Sequence, residues 1–454
     1  MQTVVRLPDV AVAPPHAQAA AFRVRAAHLL IGSIFALLVA NLGRVPLLDT
    51  GVGKEAPLLL NDLIVLGLVG IGLVTALRLR RLRLDSVAGW ALAFAAIGGF
   101  SAMISLVRFD LTISQLTVSL AYLGRWLAYF GLYLFVVNFL RRADVPAVWR
   151  ALETVILVFA GFGILQSIFL PGFAQIIYPD AVVGVDWDAQ GWRLVSTFLD
   201  PNYAGMFIVT ALLVLMAQVA FGARVAVWKI ALLGLALALT VSRSSFVALL
   251  VGGLVIGLVR GNSKRIWRIG LGGMAAGLLL LPVIVVQAAQ FDRFTVGGSM
   301  AYRIVSWIQA IEVFLDNPVL GIGYNTFGYV ADQYGRIYGG AAGFGLDGGL
   351  LFIAVTTGVV GLAAYCLMFR AALRRCPAIW KDPERPAAER GLVLGVTAAS
   401  LALVVHSLFL NSLLYPFLME TFWILWGLVF LLTVPRADET EAEPAERVLT
   451  PTSG

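Results

Sequence analysis

An all-α, polytopic integral membrane protein is predicted by three observations: an apolar content too high for a water-soluble core, apolar runs near membrane-spanning length, and cations sorted to alternate loops. Hydrophobic residues make up 60% of the 454 and charged residues only 13%, with a mean hydropathy of +0.90. A soluble domain has no use for that fraction of apolar side chains. Runs of roughly twenty apolar residues, the length that crosses about 30 Å of hydrocarbon, number about twelve.

The first run, 26–43, follows a cytoplasmic N-terminal segment, 1–25, and no small-residue cleavage signature stands behind it. It reads as a retained helix and not as a removed signal peptide. Spans at 57–76, 86–105, 119–140 and 147–169 come next, and an outer segment, 170–201, separates them from the tight group 202–220, 225–240 and 244–260. A ninth span, 269–288, leads into the large polar outer loop 289–346, and 347–369, 391–410 and 413–434 complete the set. The tail 435–454 is acidic and rich in Ala, Glu and Pro, the composition of a disordered cytoplasmic end. There is no convincing internal repeat and no separate soluble domain.

Orientation follows from the loops, because cations flanking a helix resist translocation. With the N-terminus inside, clusters such as Arg78-Arg80-Arg81-Arg83, Arg141-Arg142, Lys264-Arg265-Arg268 and Arg370-Arg374-Arg375 all fall on the cytoplasmic side. Only Arg44, Lys54, Arg108, Arg193, Arg243, Arg293, Arg303 and Arg336 fall outside, and Arg125 lies within a span. Both termini are therefore expected in the cytoplasm, and the net charge of +7 reports topology, not nucleic-acid binding. Cys366 lies in a span and Cys376 on the inner side, which leaves no disulfide and no cysteine metal site.

The unusual polar residues converge on the outer leaflet. Arg125 sits below the outer end of the fourth span, Asp200 and Asn202 at the mouth of the sixth, and Arg243 in the short turn Val-Ser-Arg-Ser-Ser. Asp347 opens the tenth span, His406 lies near the outer end of the eleventh and Glu420 about two turns into the twelfth. An ionisable group in a span costs roughly 2.5–3.5 kcal/mol on insertion scales, so each is a functional candidate with a partner to be found. Structural alternatives stand beside these readings: Arg125 snorkelling to headgroups, Glu420 pairing with Arg125 or His406, and His406 simply packed and hydrogen-bonded. For Arg243 the functional reading is favoured, since a two-helix turn needs no arginine.

Within the polar stretch from Phe291 to Asp347, Ile304, Trp307, Ile308, Ile311, Phe314 and Leu315 recur at helical spacing. They predict an amphipathic helix over 301–316 on the membrane surface, with Arg303, Ser306 and Ala310 on another face. Asn317-Pro318 ends it, and Gly321 and Gly323 permit a tight turn with close backbone approach. The outer arginines Arg193, Arg243 and Arg303 suit a pyrophosphate, because a guanidinium presents a planar fork of donors and stays charged. Asp186-Trp-Asp188 has the form of a metal-binding Asp-x-Asp, but an acidic outer loop is commonly just solvated. Neither a metal nor another cofactor is expected.

Arg303-x3-Trp307 running into Asn317-Pro318-x2-Gly321-x-Gly323-x-Asn325, then Asp347-Gly-Gly-Leu-Leu and Thr357-Gly358-x2-Gly361-Leu, resembles the bacterial O-antigen ligase and Wzy-type polysaccharide polymerase family. Ser196-Thr-Phe-x2-Pro201-Asn202-x-Ala-Gly205 and Ser242-Arg243-Ser244 are similar to the same family, so the resemblance covers roughly residues 190 to 430. It implies a GT-C-like glycosyltransferase domain over 26–434 at the outer face of the bacterial inner membrane. The donor and acceptor it implies are undecaprenyl-pyrophosphate-linked glycans, used with inversion. Carried over by position, Arg193, Arg243 and Arg303 would hold the pyrophosphate, with Arg125, Asn202 and Glu420 in support. Ligases of this family usually carry His-Asn where this chain has Asp347-Gly348. That departure favours a polymerase of lipid-linked repeat units for O-antigen, capsule or exopolysaccharide, with Asp347 the first choice to position or deprotonate the acceptor hydroxyl and His406 the second. Membrane lipid, a flippase and chain-length regulator proteins are the expected partners. Three other readings remain: a ligase transferring glycan to lipid A core, a non-catalytic membrane partner in polysaccharide assembly, and a lipid-linked glycan transporter, which would place polar groups near the midplane and interrupt its helices.

Overall fold

The computed structural model describes residues 15–46, 57–80, 82–179, 191–261, 299–334 and 346–434. The expected ninth span, the Asp186-Trp-Asp188 element, Arg293, Arg336 and the tail 435–454 lie outside them. The helices are α1 (Pro15–Phe35), α2 (Leu60–Leu79), α3 (Ser86–Arg108), α4 (Ile113–Phe139), α5 (Val145–Phe169), α6 (Phe173–Ile177), α7 (Pro201–Ala220) and α8 (Val227–Thr240). They continue with α9 (Arg243–Arg260), α10 (Ser299–Asp316), α11 (Phe327–Val330), α12 (Gly349–Leu373), α13 (Cys376–Lys381), α14 (Ala387–His406) and α15 (Pro416–Thr433). Among the described residues nine helices are long and apolar enough to cross a membrane, and two shorter apolar ones lie at Arg25–Leu38 and Val227–Thr240. Those eleven correspond to the expected spans other than the ninth. At 14 residues, α8 is only about 21 Å long and does not span the hydrocarbon by itself. The strand content described is one small antiparallel hairpin, β1 (Arg44–Pro46) with β2 (Pro57–Leu59).

α7 and α15 form the centre, with 83% and 89% of their apolar windows buried, whereas α9 has 22% buried and lies at the periphery. Small residues set the closest approach. A Cβ on Gly391 or Gly395 of α14 would come within 2.4 Å of the α7 backbone at Gln218 or Val214, so the two helices touch main chain to main chain, the usual way to gain packing where lipid competes for apolar contact. Between α3, α4, α12 and α15 the core is aromatic: Trp126 meets Phe94 and Trp423 edge-on with ring centroids 5.0 and 5.6 Å apart. Cations at the opposite end of the bundle are tied to acids, as in Arg142 with Glu389 and Lys229 with Glu153.

Helix α12 is broken at Gly358, where φ is 67° and ψ −173°, a combination essentially reserved for glycine. The break lies about 15 Å along the helix from its start, near the middle of a bilayer. Backbone groups freed there must be satisfied by the chain itself, and the segment after α10 does this. Val359 N–H donates to Pro318 O at 2.8 Å and Val360 N–H to Val319 O at 3.4 Å, while Ile322 and Gly323 N–H donate to Val355 and Thr356 O, both at 3.0 Å. Ser101 on α3 adds its hydroxyl to Leu320 O at 2.5 Å. Gly321 and Gly323 adopt φ of 68° and 105°, the tight turn expected of them. The Asn317-to-Asn325 motif is thus a re-entrant clasp that fixes α10 to α12.

α10 begins at Ser299 and ends at Asp316, close to the 301–316 expected. Ile304, Ile308, Ile311 and Leu315 face outward, but Ser306, Ala310 and Val313 are buried against the bundle. Trp307 points inward as well, so it is a protein anchor and not a lipid one.

Adding one methyl at Gly358 places a Cβ 2.0 Å from Val319 O, besides a backbone cost of about 1–3 kcal/mol. Gly358→Ala is expected to lower the melting temperature in detergent sharply, whereas Gly67→Ala, whose Cβ would meet nothing within 4 Å, leaves it unchanged or slightly raised.

Candidate functional site

The α8–α9 turn is the centre of the polar cluster. Its Val241 has φ +49°, an uncommon state for a β-branched residue, and Ser196 and Leu199 on the neighbouring segment are also left-handed, with φ of 49° and 56°. Arg193 stabilises the turn. Its Nε donates to Thr240 O at 2.7 Å and Nη2 to Val241 O at 3.4 Å, while Leu194 N–H donates to Leu239 O at 3.0 Å. A guanidinium at the C-terminus of α8 also meets the negative end of that helix's dipole. Gln166 fixes the Arg193 segment from behind, its Oε1 accepting from Val195 and Ser196 N–H at 3.0 and 3.1 Å.

Past the turn, Ser242 caps α9 by accepting from Ser245 N–H, and Arg243 stands exposed at the first helical position. Asn202 joins α7 to this turn: Ser242 Oγ donates to its Oδ1 at 3.0 Å and Ser245 Oγ to its carbonyl at 3.1 Å. Asp200 caps α7, accepting from Asn202 and Tyr203 N–H at 2.7 and 3.2 Å. Burial raises the Asp200 carboxyl above its ordinary range, opposed by those two bonds and by Arg193, and raised further by the negative charge of Asp347.

His406, the last residue of α14, is fully buried. Its Nε2 lies 3.1 Å from Ser244 Oγ and 3.2 Å from Ser245 Oγ, and its Nδ1 lies 2.6 Å from Ser412 Oγ. A neutral imidazole is satisfied there in either tautomer, accepting from a serine on one side and donating to one on the other. The ring therefore holds the Arg243 turn to the loop that follows α14. That loop in turn grips Asp347: Gly349 N–H donates to Leu410 O at 3.0 Å and Asn411 Nδ2 to Leu346 O at 2.7 Å. From the other side Trp307 Nε1 donates to Asp347 O at 2.8 Å, and its ring lies 6.2 Å from Phe409. Asp347 itself is half-buried. Arg303 lies one turn before Trp307 on α10.

Arg193, Arg243, Asn202, Asp347, His406 and the helix carrying Arg303 therefore meet at one end of the bundle. Around them, the enclosed polar atoms Trp192 Nε1, Thr197 Oγ1, Ser306 Oγ and Asn411 Oδ1 have no hydrogen-bond partner among the described residues. Arg125 and Glu420 belong to a separate cluster. Arg125 neither snorkels nor pairs with Glu420. It bonds Asp62 at 2.8 Å and Pro57 O, and Glu420 accepts from Asn61 Nδ2 at 3.0 Å. Sequence reasoning passed over Asn61 and Asp62, although a carboxylate inside the second apolar run was the signal, and over the serines that flank His406. No group of three His, Cys, Asp or Glu able to hold a metal occurs among the described residues.

Residues 228–366 match the family model described as O-antigen ligase. The matched segment includes the Arg243 turn, α10 with Arg303, the clasp and Asp347. No curated protein matches the chain.

Arg193 and Arg243 differ in what they hold. Arg193→Ala removes the donor to the buried Thr240 carbonyl and the partly buried Val241 carbonyl, at about 1–3 kcal/mol for a buried group left unsatisfied, and is expected to lower the melting temperature. Arg243→Ala, on an exposed side chain, should change stability by no more than about 0.5 kcal/mol. Thermal unfolding of both variants in one detergent checks the contrast.

Proposed function

We propose that this membrane protein, whose family domain supports a role in surface polysaccharide assembly, is an inverting glycosyltransferase that polymerises undecaprenyl-pyrophosphate-linked repeat units at the outer face of the bacterial inner membrane. The observation that carries the reading is the meeting of Arg243, Asp347 and the Arg303-bearing helix at one end of the bundle, all within the matched segment. The charge sorting of the loops supports a periplasmic site and cytoplasmic termini.

In this reading a hydroxyl of one lipid-linked unit attacks the anomeric carbon of a second, and the bond to the pyrophosphate breaks. Asp347, half-buried at the mouth, takes the hydroxyl proton. Arg243 and Arg303 stabilise the departing pyrophosphate as charge develops on it. Arg193 serves them from behind, since its guanidinium is already engaged with the turn, and His406 acts through Ser244 by holding that turn in place. Flippase and chain-length regulator proteins are the partners that such a reaction needs to supply its units and limit its product.

Transfer to lipid A core is the second reading, favoured by the description of the matched family model as O-antigen ligase. Asp347-Gly348, in the place where ligases usually carry His-Asn, favours polymerisation. Transport is favoured less. α12 is interrupted, as a transporter helix would be, but its freed backbone groups bond the clasp.

The test uses the purified chain in lipid nanodiscs with a defined undecaprenyl-pyrophosphate repeat unit. A ladder of longer lipid-linked oligomers is expected, and product that forms only when lipid A core is added would replace polymerase by ligase. Arg303→Lys keeps the charge but loses the fork, so product should fall strongly at normal expression. Undiminished product from that variant would show that bidentate binding plays no part.

A further inference from the structure

A second buried polar cluster joins α2, α4 and α15, and the proposed chemistry makes no use of it. Asn61 and Glu420 are both fully buried, and Asn61 Nδ2 donates to Glu420 Oε2 at 3.0 Å. The other two side-chain polar atoms of this pair, Asn61 Oδ1 and Glu420 Oε1, are enclosed and have no hydrogen-bond partner among the described residues. With Glu420 ionised, both are acceptors only.

The neighbouring polar groups are engaged with one another. From α2, Asp62 accepts from Leu59 N–H at 2.9 Å. From α4, Tyr129 donates its hydroxyl to Asp62 Oδ1 at 3.1 Å, and Arg125 bonds Asp62 Oδ2 and Pro57 O. Glu153 of α5 and Glu389 of α14 lie toward the far end of α15 with their own cations, and His406 of α14 is bonded to serines. An ionised Glu420 would be a second anion beside Asp62, with Arg125 the single cation of the cluster, in an interior where unpaired charge is costly.

We infer that Glu420 is a proton-binding site, carrying its proton at neutral pH and donating it to Asn61 Oδ1, so that acid and amide close a ring of two hydrogen bonds. One proton then satisfies both enclosed acceptors, and the cluster is electrically neutral, Arg125 balancing Asp62. The ring ties α2 to α15. Loss of the proton breaks one of its two bonds and places like charges side by side, which loosens α15 at the end that leads through Tyr415 to Ser412, the residue bonded to His406 Nδ1.

Infrared spectroscopy of the full chain in nanodiscs reads the proton directly. The wild type should show, at neutral pH, a protonated-carboxyl carbonyl band that disappears in Glu420→Gln, a variant whose amide can still donate to Asn61. Carbon-13 labelling of the glutamate carboxyls in the wild type should shift the same band, so the result does not depend on the variant folding. Raising the pH should abolish the band, and with it lower the melting temperature of the wild type more than that of Glu420→Gln. A neutral-pH spectrum with no such band, or with a band indifferent to glutamate labelling, would overturn the inference whatever the protein's reaction proves to be.

Discussion

A polar backbone group inside a membrane must be paired by the chain itself, and the break in α12 is where this protein meets that requirement by bringing in a second segment. The four bonds between 318–323 and 355–360 do more than satisfy the break. They fix the C-terminal end of α10, and α10 delivers Trp307 to the Asp347 carbonyl. Residues 346–349 then grip the loop after α14, where His406 reaches Ser244 and Ser245 and so the turn bearing Arg243. The site is the last link of a chain of contacts that starts near the bilayer centre.

Along this chain the polar residues divide their work. Arg193 has the chemistry of an anion ligand but is engaged with backbone carbonyls, so its charge reaches the site as a field and its fork as a brace. Arg243 lies three residues beyond the carbonyl of Thr240 and is left exposed. Left-handed Ser196, Leu199 and Val241 cluster around the same brace, the kind of backbone strain that persists only where surrounding bonds over-determine it.

Hydropathy made the spans legible because length and apolarity alone decide them, and the sorting of cations gave both ends of the bundle their character. The 301–316 helix was legible too, since its period is local. Partners were not. Asp62 sits in the first turn of an apolar run, where an acid reads as the edge of a span. Only the packing of α4 against α2 brings Arg125 to it. The break at Gly358 hides in an unbroken apolar pattern, because a glycine there looks like any small residue until another backbone passes over it. Trp307 reads as a membrane anchor by composition, whereas the direction of its indole depends on where Asp347 lies in space. His406 showed itself by type, but its serines are common residues distributed over two other segments.

The glycine stripe of α14 has a consequence far from where it lies. Gly391 and Gly395 seat α14 directly on the α7 main chain, and His406 follows Gly395 by about 16 Å of helix. The stripe therefore acts as a stop that sets the axial register of α14. A side chain added there would tilt or slide a rigid rod whose other end must meet two serines at hydrogen-bond distance. The tolerance of the candidate site is set by a bearing toward the opposite end of the bundle.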